Sequence, residues 1–226
     1  GDRSRGDSET ESPEPRPLPA QPRDHVPGLG AARLRQRGLS AGARRGGARR
    51  DPTDLRQLAA APEVEQALRF FETNAQAITD EHIRICSIPA NPFAEQERAE
   101  YLAARFRELG LSEVSIDEEG NCLGLLRGAS QSPLMVVSAH LDTVFSADTN
   151  FNVTRRNGKL YAPGIADDGC GLAALIAIVQ AIQTQQIPID GSILFVGTVG
   201  EEGEGNLRGV RHLFTKGRWA KHVDSF

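Results

Sequence analysis

The side chains of this chain that could do chemistry fall into three short clusters. The first contains His140 and Asp142, the second is the Asp167–Asp168 pair among glycines, and the third is the Glu201–Glu202 pair. Imidazole and carboxylates without a thiolate form the ligand set of hydrolytic zinc, cobalt or manganese centres. The residue types therefore point to a metal site, provided that the fold brings the three clusters together.

Each cluster also has an interpretation that needs no ligand. His140 and Asp142 point to the same side of an extended backbone, so the carboxylate can orient the imidazole, but such a pair is also common where a strand ends in a turn. An aspartate before a helix is a favoured N-cap, and an acidic, glycine-rich run is often a solvated loop. Two adjacent carboxylates exceed what a cap needs, however, and a bound cation would relieve their repulsion.

Elements with clear periodicity precede or follow these clusters. Apolar residues at helical spacing predict two opening helices, over residues 64–78 and 102–109. Apolar runs at 114–116, 122–126, 134–139 and 193–199 predict strands, and the last two have the nearly continuous apolar character of central strands. Residues 171–182 predict a helix packed on the sheet. This alternation of strands and helices is typical of the α/β class.

The order of the elements places all three clusters at one edge of the predicted sheet. In open α/β sheets, ligands bind outside the carboxyl ends of the strands. We therefore expect His140, Asp167 and Glu202 to meet there. The glycine-rich run at 164–171 does not predict a nucleotide site, because it lacks the Gly-x-Gly-x-x-Gly pattern and its acidic residues would repel phosphate.

Taken together, the three motifs are specific. His-Leu-Asp-Thr at 140–143, Ala-Pro-Gly-Ile-Ala-Asp-Asp-Gly-Cys-Gly at 162–171 and Glu-Glu-Gly at 201–203 occur in this order. Residues 62–226 thereby resemble the di-metal aminoacylase and carboxypeptidase family, which includes carboxypeptidase G, peptidase T, acetylornithine deacetylase and succinyl-diaminopimelate desuccinylase. The resemblance implies an α/β three-layer sandwich with a mixed, largely parallel central sheet, truncated before an inserted dimerisation domain.

The same resemblance implies a role for each candidate residue. His140 would bind one metal ion, Glu202 a second, and Asp167 would bridge both, with Asp142 orienting His140 and Glu201 acting as the general base. It also implies a cis peptide bond after Asp167. The expected cofactors are two divalent ions, zinc ahead of cobalt or manganese. One carboxylate can bridge two ions about 3.5–4 Å apart, as in many hydrolases.

Three functions stay open on the sequence alone. The first is a hydrolase that cleaves an amide bond of a short peptide by metal-activated water, the second an N-acyl amino acid deacylase, and the third a non-catalytic fragment without a complete metal site. The family's remaining ligands, one acidic and one histidine, are expected beyond Phe226. Asp224 is not assigned as a ligand, because its apolar neighbours indicate the start of a further strand. His212 and His222 are not assigned either, because we expect them to be surface or packing residues.

Composition narrows the class of protein further. The chain is 39% hydrophobic and 25% charged with a net charge of −4, values that are ordinary for a globular protein and argue against a nucleic-acid partner. No apolar run approaches the ~18 residues of a membrane span. The three cysteines are widely spaced and odd in number, which favours a reducing compartment and hence the cytoplasm.

The first fifty residues differ in kind from the rest. They contain eleven arginines and six acidic residues, a net charge of +5, and are rich in proline and glycine. Such a composition lacks the apolar residues that offset the entropy cost of ordering. We therefore expect a disordered extension over residues 1–55 and the first part of a catalytic domain over 56–226. The resemblance implies a homodimer for the full-length protein.

Overall fold

The computed structural model describes residues 56–57 and 59–226, so the predicted extension over residues 1–55 lies outside the described residues. The helices are α1 (Pro62–Thr73), α2 (Ala75–Cys86), α3 (Gln96–Glu108), α4 (Gly169–Thr184) and α5 (Arg208–Thr215), with a 3-10 turn at Gly203–Gly205. The strands are β1 (Ser112–Ile116), β2 (Cys122–Leu126), β3 (Leu134–His140), β4 (Thr154–Arg156), β5 (Lys159–Tyr161) and β6 (Ser192–Thr198).

The main sheet has four strands in the order β1–β2–β6–β3. β1 and β2 pair antiparallel because a tight turn joins them, and β2 also pairs antiparallel with β6. β3 and β6 pair parallel, since the connection between them crosses over through α4. The predicted mixed sheet is therefore confirmed. The expectation that it is largely parallel is wrong for the described strands, because only the β3–β6 pair is parallel.

Helices cover both faces of this sheet. On one face, Leu102 and Phe106 of α3 and Leu172 of α4 pack in a single core with Phe195 of β6. On the other face, Leu213 of α5 packs in a second, smaller core of strand residues. This arrangement confirms the predicted α/β three-layer sandwich. Among the described residues, no helix has both the length and the apolar character that a bilayer crossing requires.

The two strands predicted to be central differ in their burial. Every residue of β6 is buried, whereas Met135 of β3 is 41% exposed. β3 lies at the edge of the described sheet, where Ser225 begins to pair beside it and accepts a hydrogen bond from the Val136 N–H at 2.9 Å. The prediction of a strand covered on both faces is thus right for β6 and wrong for β3.

The opening helices also differ from the prediction, because residues 59–111 form three helices before β1. Asn74 interrupts the first predicted helix: it leaves helical geometry, and its side-chain amide donates to the Phe70 carbonyl at 2.8 Å. A hairpin of β4 and β5 was not predicted, although its turn residues Asn157 and Gly158 have positive φ and form the Asn-Gly pair typical of such turns.

Candidate metal centre

Each candidate side chain lies where an element begins or ends. His140 is the last residue of β3, and the parallel register pairs it with Thr198, the last residue of β6. The Glu201–Glu202 pair follows three residues after β6, and the Asp167–Asp168 pair comes directly before α4. The parallel pairing therefore brings the first and third clusters to the same edge of the sheet, as expected.

At that edge, His140, Asp167 and Glu202 converge. One possible ligand atom from each lies within 4.8 Å of the other two, and no other group of three His, Cys, Asp or Glu residues in the described part of the chain does so. His140 Nε2 is 2.8 Å from Asp167 Oδ1. The side chain of Asp167 is 76% exposed and that of His140 only 11%. The structure thus brings the three predicted ligands together, and their individual roles stay predictions.

The electrostatics of the cluster favour a cation. Burial lowers the pKa of His140, but the carboxylates of Asp142 and Asp167 outweigh this effect and raise the pKa to about 9. Burial and the neighbouring charges of Asp167 and Glu201 raise the pKa of Glu202. Crowded negative charge contributes to both shifts, and a divalent ion would neutralise it. An imidazole with convergent carboxylates is a donor set that fits zinc, cobalt or manganese.

Asp142 is fully buried beneath the cluster and makes contacts in two directions. Its backbone carbonyl lies 3.0 Å from His140 Nδ1, whereas its carboxylate Oδ1 is 3.6 Å from that nitrogen. The carboxylate accepts hydrogen bonds from the N–H groups of Glu201 at 3.0 Å and Glu202 at 2.8 Å. Burial raises the pKa of Asp142, but His140 and these two N–H groups hold it below its usual value. Asp142 therefore links the imidazole to the glutamate loop.

The adjacent carboxylates of the second cluster have separate surroundings. Asp168 is the N-cap of α4: its Oδ1 accepts from the Gly171 N–H and its Oδ2 from the His140 N–H, both at 3.1 Å. Burial raises the pKa of Asp168. Asp167 instead faces the imidazole, and the peptide bond between the two aspartates is cis, as the resemblance implies. Asp168 is therefore the helix cap, and Asp167 stays the predicted ligand.

Glu201 lies beside this group with an exposed side chain. Its backbone N–H is held by Asp142, and among the described residues its carboxylate has no hydrogen-bond or ion-pair partner. A general base needs a carboxylate that can reach solvent and substrate. The position of Glu201 is compatible with that role.

The three residues that were not assigned as ligands lie away from the convergent group. The carboxylate of Asp224 accepts from the Leu134 N–H at 2.8 Å, at the opposite end of β3 from His140. His212 lies near the carboxylates of the β1–β2 turn, and His222 is exposed. None of them belongs to the convergent group.

Sequence reasoning missed two buried charged residues, Glu95 and Arg98, at the start of α3. The helical spacing of buried residues in α3 could have indicated them. Extending the buried stripe of Leu102 and Phe106 back by helical steps reaches positions 98 and 95, so both side chains would be expected on the core face. A charge on a core face indicates a partner for it.

A shallow cavity of about 370 Å³ adjoins Glu202. Its apolar lining includes Phe93, Val144 and Phe145, which are between 38% and 66% exposed. An apolar surface next to a candidate metal ligand is a typical feature of small-molecule sites.

Comparisons with known proteins agree with this geometry. Residues 136–226, which contain all three clusters, match "Peptidase family M20/M25/M40". The "Probable succinyl-diaminopimelate desuccinylase" of Staphylococcus aureus (strain MRSA252) is 35% identical over 95 residues, covering 39% of this chain and 23% of that protein. The succinyl-diaminopimelate desuccinylase of Pseudoalteromonas atlantica is 31% identical over 134 residues, covering 56% and 35%.

A solved structure shows the same fold. Human carnosine dipeptidase 1 superposes with a TM-score of 0.59 at 16% identity, covering 71% of this chain and 39% of that one. At this identity the likeness concerns the fold alone. The chain spans between 21% and 37% of the length of the curated relatives that it matches.

Proposed function

We propose that the protein, whose residues 136–226 match peptidase family M20/M25/M40, is a metal-dependent hydrolase that cleaves an amide bond of a short peptide. The observation that carries this proposal is the convergence of His140, Asp167 and Glu202 within 4.8 Å of one another. They come from three separate segments and meet at the edge of the sheet where α/β proteins bind ligands.

We assign His140 to one ion, Glu202 to a second and Asp167 to both, with zinc preferred over cobalt or manganese. When bound, divalent ions supply a water of lowered pKa and polarise the scissile carbonyl. Glu201 accepts a proton from water at its carboxylate and passes it to the leaving amine nitrogen. Asp142 positions the His140 imidazole and the Glu201 backbone, because its carbonyl contacts the imidazole and its carboxylate accepts from the Glu201 N–H.

A second candidate function is the removal of an acyl group from an N-acyl amino acid. Two relatives at 31% and 35% identity are named as desuccinylases, which favours it. The same residues serve either reaction, since both reactions hydrolyse the C–N bond of an amide. The two functions differ in which half of the substrate is recognised.

The test combines metal analysis with a substrate panel. Because the chain spans a minor part of its relatives' length, activity is measured on the full-length gene product that contains it. We expect about two divalent ions per chain and hydrolysis of dipeptides, lost on chelation and restored by zinc or cobalt. Hydrolysis of N-succinyl or N-acetyl amino acids without dipeptide hydrolysis would favour the second function. A protein that binds no divalent ion would contradict both and support a non-catalytic role.

The expected partners are the small peptide or N-acyl amino acid itself, with neither nucleic acid nor membrane. We propose a homodimer for the full-length protein and a cytoplasmic location. Light scattering of the purified protein measures the first, and cell fractionation measures the second.

A further inference from the structure

Three consecutive backbone N–H groups, those of Gly200, Glu201 and Glu202, donate to two buried carboxylates. Asp142 accepts from the second and third, and Glu95 Oε1 accepts from the Gly200 N–H at 3.1 Å. Glu95 is 3% exposed and lies at the N-cap of α3, 105 positions earlier in the chain. The loop that carries the glutamate pair is therefore held from two separate elements.

The buried charge of Glu95 is paired with Arg208, the first residue of α5. Nη2 of Arg208 lies 2.7 Å from both carboxylate oxygens of Glu95. The guanidinium also donates to the Glu119 carbonyl at 2.9 Å and stacks over Phe93 at 4.9 Å. These partners fix the orientation of the Glu95 carboxylate, because a buried ion pair is favourable only when its geometry is well defined.

Gly200 fits closely against this ion pair. Its φ is +61°, and a Cβ there would lie 2.8 Å from Cγ and Nε of Arg208. A side chain at this position would therefore force the guanidinium or the loop to move. The close approach gives the Glu95–Arg208 pair direct contact with the backbone immediately before Glu201 and Glu202.

Arg98 makes the corresponding contact with the other loop. It is 2% exposed, and its Nη1 donates to the Leu141 carbonyl at 2.7 Å, between His140 and Asp142 in the sequence. Its Nε donates to the Ile88 carbonyl at 3.1 Å. Glu95 and Arg98 are three residues apart, so they project from the same face of α3.

We propose that Glu95 and Arg98 are positioning residues of the metal centre. Glu95 fixes the Glu201–Glu202 loop through Gly200, and Arg98 fixes the His140–Asp142 segment through the Leu141 carbonyl. The first turn of α3 thereby sets the separation of the two loops. The inference rests on the proposed function for the bound metal, while the hydrogen bonds themselves do not depend on it. Residues that orient metal ligands from behind typically affect metal affinity by 10–100-fold.

The experiment compares four variants of the full-length gene product with the wild type. Glu95→Ala removes the acceptor of the Gly200 N–H, and Glu95→Gln keeps an acceptor oxygen without the charge. Arg98→Met keeps most of the volume but removes the donors. Glu97→Gln is the matched control, because Glu97 is in the same turn but exposed. Thermal unfolding first defines a temperature at which every variant is folded.

Two readouts are then taken at that temperature. Hydrogen exchange of the amides of 200–202 in metal-free protein reports on the loop, and titration with Co²⁺, followed by its visible absorption spectrum, reports on affinity and ligand geometry. We expect Glu95→Ala and Arg98→Met to weaken Co²⁺ binding by about 10-fold and to change the spectrum. Exchange at Gly200 becomes faster in the Glu95 variants only, with Glu95→Gln less affected than Glu95→Ala.

Other results would contradict the inference or the proposed function. Folded Glu95 and Arg98 variants whose Co²⁺ affinity and spectrum match those of Glu97→Gln would overturn the inference and leave these residues with a role in stability alone. Should Glu95→Ala fail to fold, Glu95→Gln decides by the same two readouts. A wild-type protein that binds no Co²⁺ overturns the proposed function, and with it the role of these residues at a metal centre.

Discussion

Two clusters among the described residues place a histidine beside three carboxylates, and they differ in how those carboxylates are used. Around His140 the carboxylates of Asp142, Asp167 and Glu202 come from three segments that are distant in sequence. Around His212 they belong to consecutive residues of the β1–β2 turn, at 117–119, and lie 3.4–3.9 Å from the ring nitrogens.

Among the turn carboxylates, that of Asp117 is occupied by the turn itself. Asp117 Oδ1 accepts from the N–H groups of Glu119, Gly120 and Asn121 at 2.9–3.0 Å, and its Oδ2 accepts from the Asn121 side chain. Glu119 also lies 3.6 Å from Arg208. The contacts of Asp117 close the turn and leave few of its own lone pairs for an ion.

At the His140 cluster, different carboxylates serve the backbone and the site. Asp142 and Asp168 accept the backbone N–H groups, whereas Asp167 is exposed and faces His140. A histidine among carboxylates is therefore a candidate metal site where ligand atoms from separate segments converge, as those of His140, Asp167 and Glu202 do. Four substitutions test this difference between the two clusters.

Replacing Asp167 with alanine removes the carboxylate assigned to both ions. We expect Asp167→Ala in the full-length gene product to lose both metal ions, and activity with them, because each ion then lacks a ligand. Elemental analysis of the dialysed protein measures the loss. Asp117→Ala is the matched control and should keep its metal. Unchanged metal content in Asp167→Ala would contradict the bridging role.

Replacing Glu201 tests the proton transfer separately from metal binding. Glu201→Gln should retain metal, since Glu202 and not Glu201 is the assigned ligand, while kcat falls by about 10²–10⁴-fold with the loss of a general base. Steady-state kinetics and metal analysis on the same sample measure both. Near-normal turnover would mean that another group takes the proton.

Replacing Asp117 tests the structural role of the second cluster. Asp117→Ala leaves the N–H groups of residues 119–121 without their side-chain acceptor, which should lower the free energy of unfolding by about 1–3 kcal/mol. Urea unfolding measures the change, with the exposed neighbour Glu118→Gln as the control. A stability equal to that of the control would show that these bonds contribute little to closing the turn.

The smallest effect is expected at His212. Its ring nitrogens lie 3.4–3.9 Å from partly exposed carboxylates, and ion pairs of this kind contribute about 0–1 kcal/mol. His212→Gln should therefore lower the free energy of unfolding by no more than about 1 kcal/mol and leave metal content unchanged. Loss of metal from this variant would show that the two histidine clusters are not as different as the contacts indicate.

Much of the fold could be predicted from local patterns. The structure contains the strands predicted at 122–126 and 193–199, the helix that follows Asp168 and the predicted fold class. These could be predicted because the spacing of apolar residues along the chain indicates the local secondary structure. The direction of strand pairing could not be read in the same way. It depends on which strands become neighbours, and β2 lies between β1 and β6 as an antiparallel partner of both.

Local sequence was enough to name the candidate residues of the site, because His140, Asp167 and Glu202 each lie close to a strand or helix with a clear apolar period. The contacts of each carboxylate, in contrast, depend on the fold. Asp142 and Glu95 bind N–H groups that lie 59 and 105 positions away, and Asp168 reaches back to His140 over 28. A carboxylate has the same chemistry in every sequence position, and its role depends on which donors the fold brings to its oxygens.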